Sequence, residues 1–397
     1  MGNGNGGGWR HPVARIGADE RKARLEILRS AMLREGIDAV LLGSTNSLRY
    51  FTGLIWGQSE RLLGALVTAK GLTYIVPAFE RSKVETLPIL PGDIATWEEH
   101  ESPSALVAKL LGQAGKLALD PQLPLFMMHP IAGILGHDRL ADASALIGPI
   151  RARKSPAEIA LIRHAMAITL DVHRKAHQLV RPGVRASEVA RFIDEEHRRM
   201  GADGGATFVI VSFGEATSLP HGAEGDQVFA PGALVLVDTG CRLDGYHADL
   251  TRTYMMDEPG KTGTSAEIAR IFAIEKEAQA AAFAAARPGA LCETVDAAAR
   301  KVIEAHGLGP DYTLPGLPHR CGHGIGLEIH EAPNLVRGDK TALATGMCFS
   351  NEPMIVVPGK FGIRLEDHFH MSDAGPVWFT EPQPSLTDPF RGLAPLA

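Results

Sequence analysis

The chain is predicted to be α/β (α+β), in two domains, on three observations. Helix-like and strand-like runs alternate from Glu20 to about Ile150. A strong helix start follows at Ser155, and beyond it one segment recurs at an offset of 106 residues. A length of 397 residues accommodates both domains and a large core.

In the first domain, 17–150, "ERKARLEILRSAMLREGID" has the spacing of an amphipathic helix, with Gly36 to close it. "AVLLG" is a short buried strand, and "GALVTAKGLTYIV" is a hairpin with Lys70-Gly71 at its turn. A helix from Ser104 to Leu111 and the strand "KLALD" continue the alternation. Residues 1–16, opening on "MGNGNGGGWRHPV", are read as a disordered tail. They lack the apolar stretch of a signal peptide, and Gly6 stands where a myristoylation start has Ser or Thr.

The second domain, 155–397, opens on Ser155, Pro156 and Glu158, a capping box with proline at the first helical position, so a long helix should run to about Leu179. The repeat comes next. "VRPGVRASEVARFIDEEHRRMG" begins at Val180 and "ARPGALCETVDAAARKVIEAHG" at Ala286. Arg181-Pro182-Gly183 aligns with Arg287-Pro288-Gly289, Val189 with Val295, and Gly201 with Gly307. Each copy follows a long helix, 155–179 and 264–285, the second capped by Thr264 and Glu267, and each precedes strand-like sequence. The expected product is a pair of similar α/β halves facing one another, with a site where they meet.

Charge and composition exclude several classes of function. The net charge of -6 is spread along the chain with no basic run, which argues against nucleic acid or an anionic membrane as partner. No apolar run is long enough to span a membrane. Cys241, Cys292, Cys321 and Cys348 lie far apart with no CxxC pair, the usage of a reducing compartment. A cytoplasmic protein is the expectation.

The chemistry lies in two hairpins. Asp238 ends "ALVLVD" and Asp249 lies in "GYHADLTRTYM", with the turn signal Asp244-Gly245 between them. Centring the turn there sets Asp238 opposite Thr251 and makes Asp249 its diagonal neighbour on the same face. Glu352 in "MCFSNEPMIVV" and Glu366 in "GIRLEDHFHM" flank Pro358-Gly359-Lys360, and a turn at Gly359 sets them directly opposite. Carboxylates in strands this apolar need compensation. Separate salt bridges, such as Asp249 with Arg252, would explain one pair; two symmetric pairs point to divalent cations.

"CGHGIGLEIHE" then supplies a fifth ligand. Three glycines cluster around His323, as backbone does where it approaches something closely. One histidine among four carboxylates suits manganese, cobalt or iron better than a structural zinc site, which takes Cys and His.

"VDTG…GYHADLTRT", "HRCGHGIGLEIHEAP", "SNEPMIV" and "RLEDH" resemble the dinuclear-metal peptidases of the pita-bread fold, peptidase family M24, over about Ser155 to Asp373. The resemblance implies two divalent ions per chain, manganese first with cobalt, zinc or iron as alternatives. Asp249 and Glu366 would bridge them, Asp238 completing one site and His323 with Glu352 the other. His221 in "SLPHG", His319 in "PHRCGHG" and His330 in "EIHE" match the histidines of the proline-specific branch, Xaa-Pro dipeptidase (prolidase) and aminopeptidase P. The first domain, with "NSLRYFTGL", is similar to the creatinase/prolidase-like domain of that branch. "VIVSFGEATSLPHG" departs from the Ser-Gly-Glu/Asn-Asn type of run found in prolidases.

On this resemblance the reaction is hydrolysis of the Xaa-Pro imide bond, of dipeptides first, by a metal-bridging hydroxide. Glu352 would carry the proton, His330 and His221 would bind substrate and oxyanion, and His319 would orient the pocket. Arg364, two residues before Glu366 and so on its face, fixes a carboxylate. The expected partners are a small proline-containing peptide and, as a homodimer, a second copy of the chain. Aminopeptidase P action on longer peptides and a hydrolase or lyase of a small osmolyte are the alternative activities.

Overall fold

The computed structural model describes residues 9–113, 115–256, 265–393 and 396. It divides into two compact units, one of residues 16–151 and one of residues 152 onward together with 9–15.

The first unit is built on a six-stranded mixed sheet with 39–42 and 64–68 at its centre. The helix expected first spans Ala18–Glu35, and Gly36 closes it in the left-handed region at φ 63°. The hairpin pairs Gly64–Val67 with Leu72–Ile75. Its turn centres on Ala69 and Lys70, one residue earlier than expected, because the Thr68 amide closes onto Gly71 O at 3.1 Å. Leu41, Leu66, Ile75, Val107, Leu117 and Ile131 make the core beneath.

In the second unit the capping box forms: Ser155 Oγ accepts from the Glu158 amide and the helix runs Pro156–His177. The repeat is a structural one. Helices Ala186–Arg199 and Cys292–Ala305 begin and end at the same offset. The paired glycines share their backbone, with Gly183 and Gly289 at φ 89° and 83°, and Gly201 and Gly307 at 88° and 77°. The second long helix is described as Ala266–Ala285, with Ser265 at its N-cap making no side-chain bond; Thr264, expected as its cap, lies outside the described residues.

Pro156–His177 and Ala186–Arg199 lie against the strands 234–243 and 206–213, and Ala266–Ala285 against 348–351, 354–357 and 361–364. Ile271, Ala278, Ala282, Phe349, Ile355 and Ile363 are among the side chains buried there. All four cysteines are buried and unpaired.

The tail expected over 1–16 is ordered where it is described; residues 1–8 lie outside the described residues. His11 Nδ1 lies 3.2 Å from His164 Nε2, and His11 Nε2 3.1 Å from Gly201 O, so the imidazole anchors this segment to the second unit.

Candidate metal centre

Two hairpins carry the acids. Strand Leu234–Leu243 pairs with Leu250–Met255 and with Tyr246–His247 in one register, Asp238 opposite Thr251. Asp244 and Gly245 turn it, at φ 46° and 78°. Met354–Val357 with Phe361–Arg364, and Cys348–Asn351 with Asp367–His370, likewise share the register that a turn at Gly359 sets. Glu352 and Glu366 are not ladder partners, however. The pairing lapses at their level, where the Glu352 amide donates to Cys321 O at 2.9 Å and the Glu366 amide to Thr251 O at 3.3 Å. The bridge Thr251–Glu366 joins the two hairpins and brings their acids together.

The glycines beside His323 serve backbone packing. A Cβ on Gly322 would lie 2.1 Å from Ser350 O, and one on Gly324 2.6 Å from Glu331 O, so neighbouring strands close tightly on both sides of the imidazole. The close approach expected of these glycines is therefore one to neighbouring backbone. His323 Nδ1 donates to Gly324 O at 3.0 Å, which leaves the Nε2 lone pair as the ligating one.

Asp249, His323 and Glu366 each offer one ligand atom, all within 4.8 Å of one another. Asp238 and Glu352 stand at the edges of this group in other bonds. Asp238 Oδ2 accepts from Arg364 Nη2, while Glu352 Oε1 lies 3.0 Å from His323 Nε2 and accepts from Ser350 Oγ at 3.1 Å. Glu366 Oε2 accepts from Thr251 Oγ1 at 2.7 Å. Asp238 Oδ1, Asp249 Oδ1 and Glu366 Oε1 are buried and have no hydrogen-bond partner. Three orphaned carboxylate oxygens with one imidazole nitrogen fit a hard divalent cation.

The electrostatics agree. Burial, then Glu366, Asp238 and Glu352, push Asp249 well above the usual carboxylate range. Burial, Glu352 and Asp238 do the same to Glu366. Burial raises Asp238 too, against the pull of Arg364. Burial would also raise Glu352, but His323, His319 and Arg364 outweigh it and hold this carboxyl below its ordinary value. A positive charge of their own is what Asp249 and Glu366 lack.

The remaining expected residues surround this group. Arg364 is buried and each of its nitrogens donates: Nη2 to Asp238, Nε to Thr251 Oγ1 at 3.0 Å and Nη1 to Pro220 O at 3.3 Å. The last bond holds the segment leading into His221, which is exposed. His330 is exposed, its ring centroid 4.2 Å from that of His323. Burial of its ring, then the charges of His323 and Arg320, pull its pKa down to about 4. His319 donates from Nδ1 to Arg320 O at 2.7 Å, and its buried Nε2 has no partner. Arg252, weighed above as a partner of Asp249, instead pairs with Asp367 at 2.6 Å and donates to Glu366 O at 2.9 Å. Sequence reasoning overlooked that pair, although Asp367 adjoins Glu366.

Residues 160–373 match the model of metallopeptidase family M24, and residues 24–153 match the creatinase/prolidase N-terminal domain. A probable dipeptidase PepE of Mycobacterium tuberculosis is 33% identical over 368 residues, 91% of this chain and 95% of that protein. A Xaa-Pro dipeptidase of Pyrococcus furiosus is 29% identical over 92% of this chain and 99% of its own length. The crystal structure of dipeptidase PepE from Mycobacterium ulcerans superposes with a TM-score of 0.86 at 30% identity, covering 94% of this chain and 98% of that one. The chain therefore belongs to metallopeptidase family M24, as a pita-bread peptidase domain preceded by a creatinase/prolidase-type domain.

Proposed function

We propose that this peptidase hydrolyses the Xaa-Pro imide bond, dipeptides foremost, with two divalent cations, manganese first, held by Asp238, Asp249, His323, Glu352 and Glu366. The observation that carries the reading is the set of buried orphaned oxygens on Asp238, Asp249 and Glu366, with Asp249 and Glu366 grouped around His323. Cations bound there would supply Lewis acidity for the scissile carbonyl and acidify water. Glu352, whose carboxyl is held below its ordinary value, takes the proton of the attacking water and passes it to the imide nitrogen as the C–N bond breaks. His330, neutral above about pH 4, donates a hydrogen bond to the developing oxyanion, and His221 binds the substrate beside it. His319, with a free buried Nε2, orients this wall of the pocket.

Aminopeptidase P action remains the second reading, and the Arg364 geometry favours it. A dipeptide needs a cation or imidazole for its free proline carboxylate, and each nitrogen of the buried Arg364 already donates once, to Asp238, Thr251 and Pro220. His221 and His330 are then the candidates for that carboxylate.

The test is an assay of metal-stripped protein with Leu-Pro and with a tripeptide extended past the proline, before and after adding manganese. Two equivalents of metal should restore cleavage of Leu-Pro. A tenfold preference for the tripeptide, about 1.4 kcal/mol in transition-state binding, would move the assignment to aminopeptidase P. Full activity in a sample free of metal by elemental analysis would sink both readings. We include a homodimer in this proposal, to be checked by light scattering.

A further inference from the structure

Pro353 lies where the second hairpin loses its pairing, between the ladders of 348–351 and 354–357. Proline has no N–H to give a partner strand, so the ladder is interrupted at the level of Glu352 and Glu366. A side chain from the helix behind reaches into this gap. Gln279, 2% exposed, places Nε2 at 3.1 Å from Leu365 O, 3.2 Å from Asp367 Oδ2 and 3.4 Å from Asn351 O. Asn351 Nδ2 returns a bond to Gln279 O at 2.8 Å. One turn earlier Glu275 is fully buried, and burial pushes its carboxyl well above the usual carboxylate range.

The other half repeats the device. Subtracting the repeat offset of 106 from Gln279 gives His173, on the long helix of the first half. His173 is 2% exposed, and its Nε2 donates to Leu250 O at 3.0 Å. Leu250 follows Asp249, and Leu365 precedes Glu366. Each half of the repeat thus sends one helix side chain to the carbonyl next to one of the carboxylates proposed to bridge the metals.

We propose that His173 and Gln279 are a pseudo-symmetric pair of positioning residues, which hold the strand segments bearing Asp249 and Glu366 at the separation that two cations require. The inference rests on the metal-centre reading above. His173 acts through backbone and Gln279 through backbone and the Asp367 carboxylate, so their effect is on the ligand set rather than on the reacting atoms.

The experiment titrates manganese into metal-stripped protein by calorimetry and follows hydrogen exchange of the metal-free form at 249–252 and 364–367. Gln279→Leu and His173→Leu should each weaken manganese about 10- to 100-fold, the range for losing a group that orients a ligand. They should also speed exchange at the strand each one touches. His173→Gln, which restores an amide donor of the kind the other half uses, should recover the affinity. Ile274→Ala, a buried neighbour on the Gln279 helix, should lower Tm and leave manganese affinity unchanged. Wild-type affinity and exchange in both leucine variants would overturn the inference, as would an equal loss of affinity in Ile274→Ala. Should the leucine variants fail to fold, Gln279→Asn, one carbon too short, must still speed exchange at 364–367; unchanged exchange there overturns the inference. A wild-type protein that binds no manganese sinks the metal reading itself, a result distinct from unaffected variants of a metal-binding wild type.

Discussion

Replacing Arg364 by leucine tests whether the metal and this guanidinium share the neutralisation of the site. Arg364 is 4% exposed and its partner Asp238 is 6% exposed. Removing one member of a buried ion pair costs about 3–5 kcal/mol, because the other charge is left uncompensated. The lost bonds to Thr251 Oγ1 and Pro220 O add about 1 kcal/mol each. Desolvation already raises Asp238, so part of this cost is relieved by protonation, and about 4–5 kcal/mol is the expected loss in metal-free protein. Against a typical stability of about 5–15 kcal/mol this is severe. Saturating manganese, at about a thousandfold over its dissociation constant, stabilises either protein by about 4 kcal/mol per site, and the penalty shrinks by as much as the variant, with its acid left uncompensated, binds the cation more tightly. The assay is urea unfolding of Arg364→Leu and wild type, each with chelator and with manganese. The penalty should be large with chelator, smaller with manganese, and partly recovered by adding Asp238→Asn. Arg364→Lys should not rescue it, since one ammonium cannot span Asp238, Thr251 and Pro220. A metal-free loss below about 1 kcal/mol, the size of an exposed ion pair, would refute the reasoning.

Glu352→Gln and His330→Ala should each lower kcat more than they raise KM, His330→Ala by about a hundredfold or more; near wild-type kcat in folded His330→Ala would remove it from the oxyanion role. His197 is buried, donates to Ile193 O at 2.9 Å, and burial lowers its pKa to about 4. Its folded pKa lies below the unfolded value near 6.5, so its contribution is fully present above pH 6.5 and is lost as pH falls through 4. That contribution is about 3 kcal/mol, and His197→Gln should flatten the stability profile between pH 6.5 and 4; an unchanged slope counts against it.

Much of this protein was determined by local chemistry that a sequence carries openly. Ser155-Pro156 and Glu158 specify a helix start because the cap bonds are made within four residues. Asp244-Gly245 specifies a hairpin because both positions adopt positive φ, and the register of Asp238 against Thr251 follows from counting outward. The same counting about Gly359 gave the register of the second hairpin correctly. The family motifs add the five candidate ligands, since each lies in a short contiguous run.

Tertiary structure decided what those runs face. The second hairpin keeps its register yet opens at Glu352 and Glu366, because the amides there find Cys321 and Thr251, partners that no spacing within the hairpin announces. Arg364 chose Asp238, 126 residues away in sequence, over Glu366 two residues on. Gln279 reads as an ordinary polar residue in a helix until the helix is laid across Leu365, 86 residues on. Side-chain bonds to distant backbone obey no sequence period, and the balance of charge in a buried site depends on which groups the fold excludes from water. Strand, turn and candidate ligands are local properties; the pairing of Asp238 with Arg364, with Asp249 and Glu366 buried among like charges, exists only once both halves of the repeat have closed on each other.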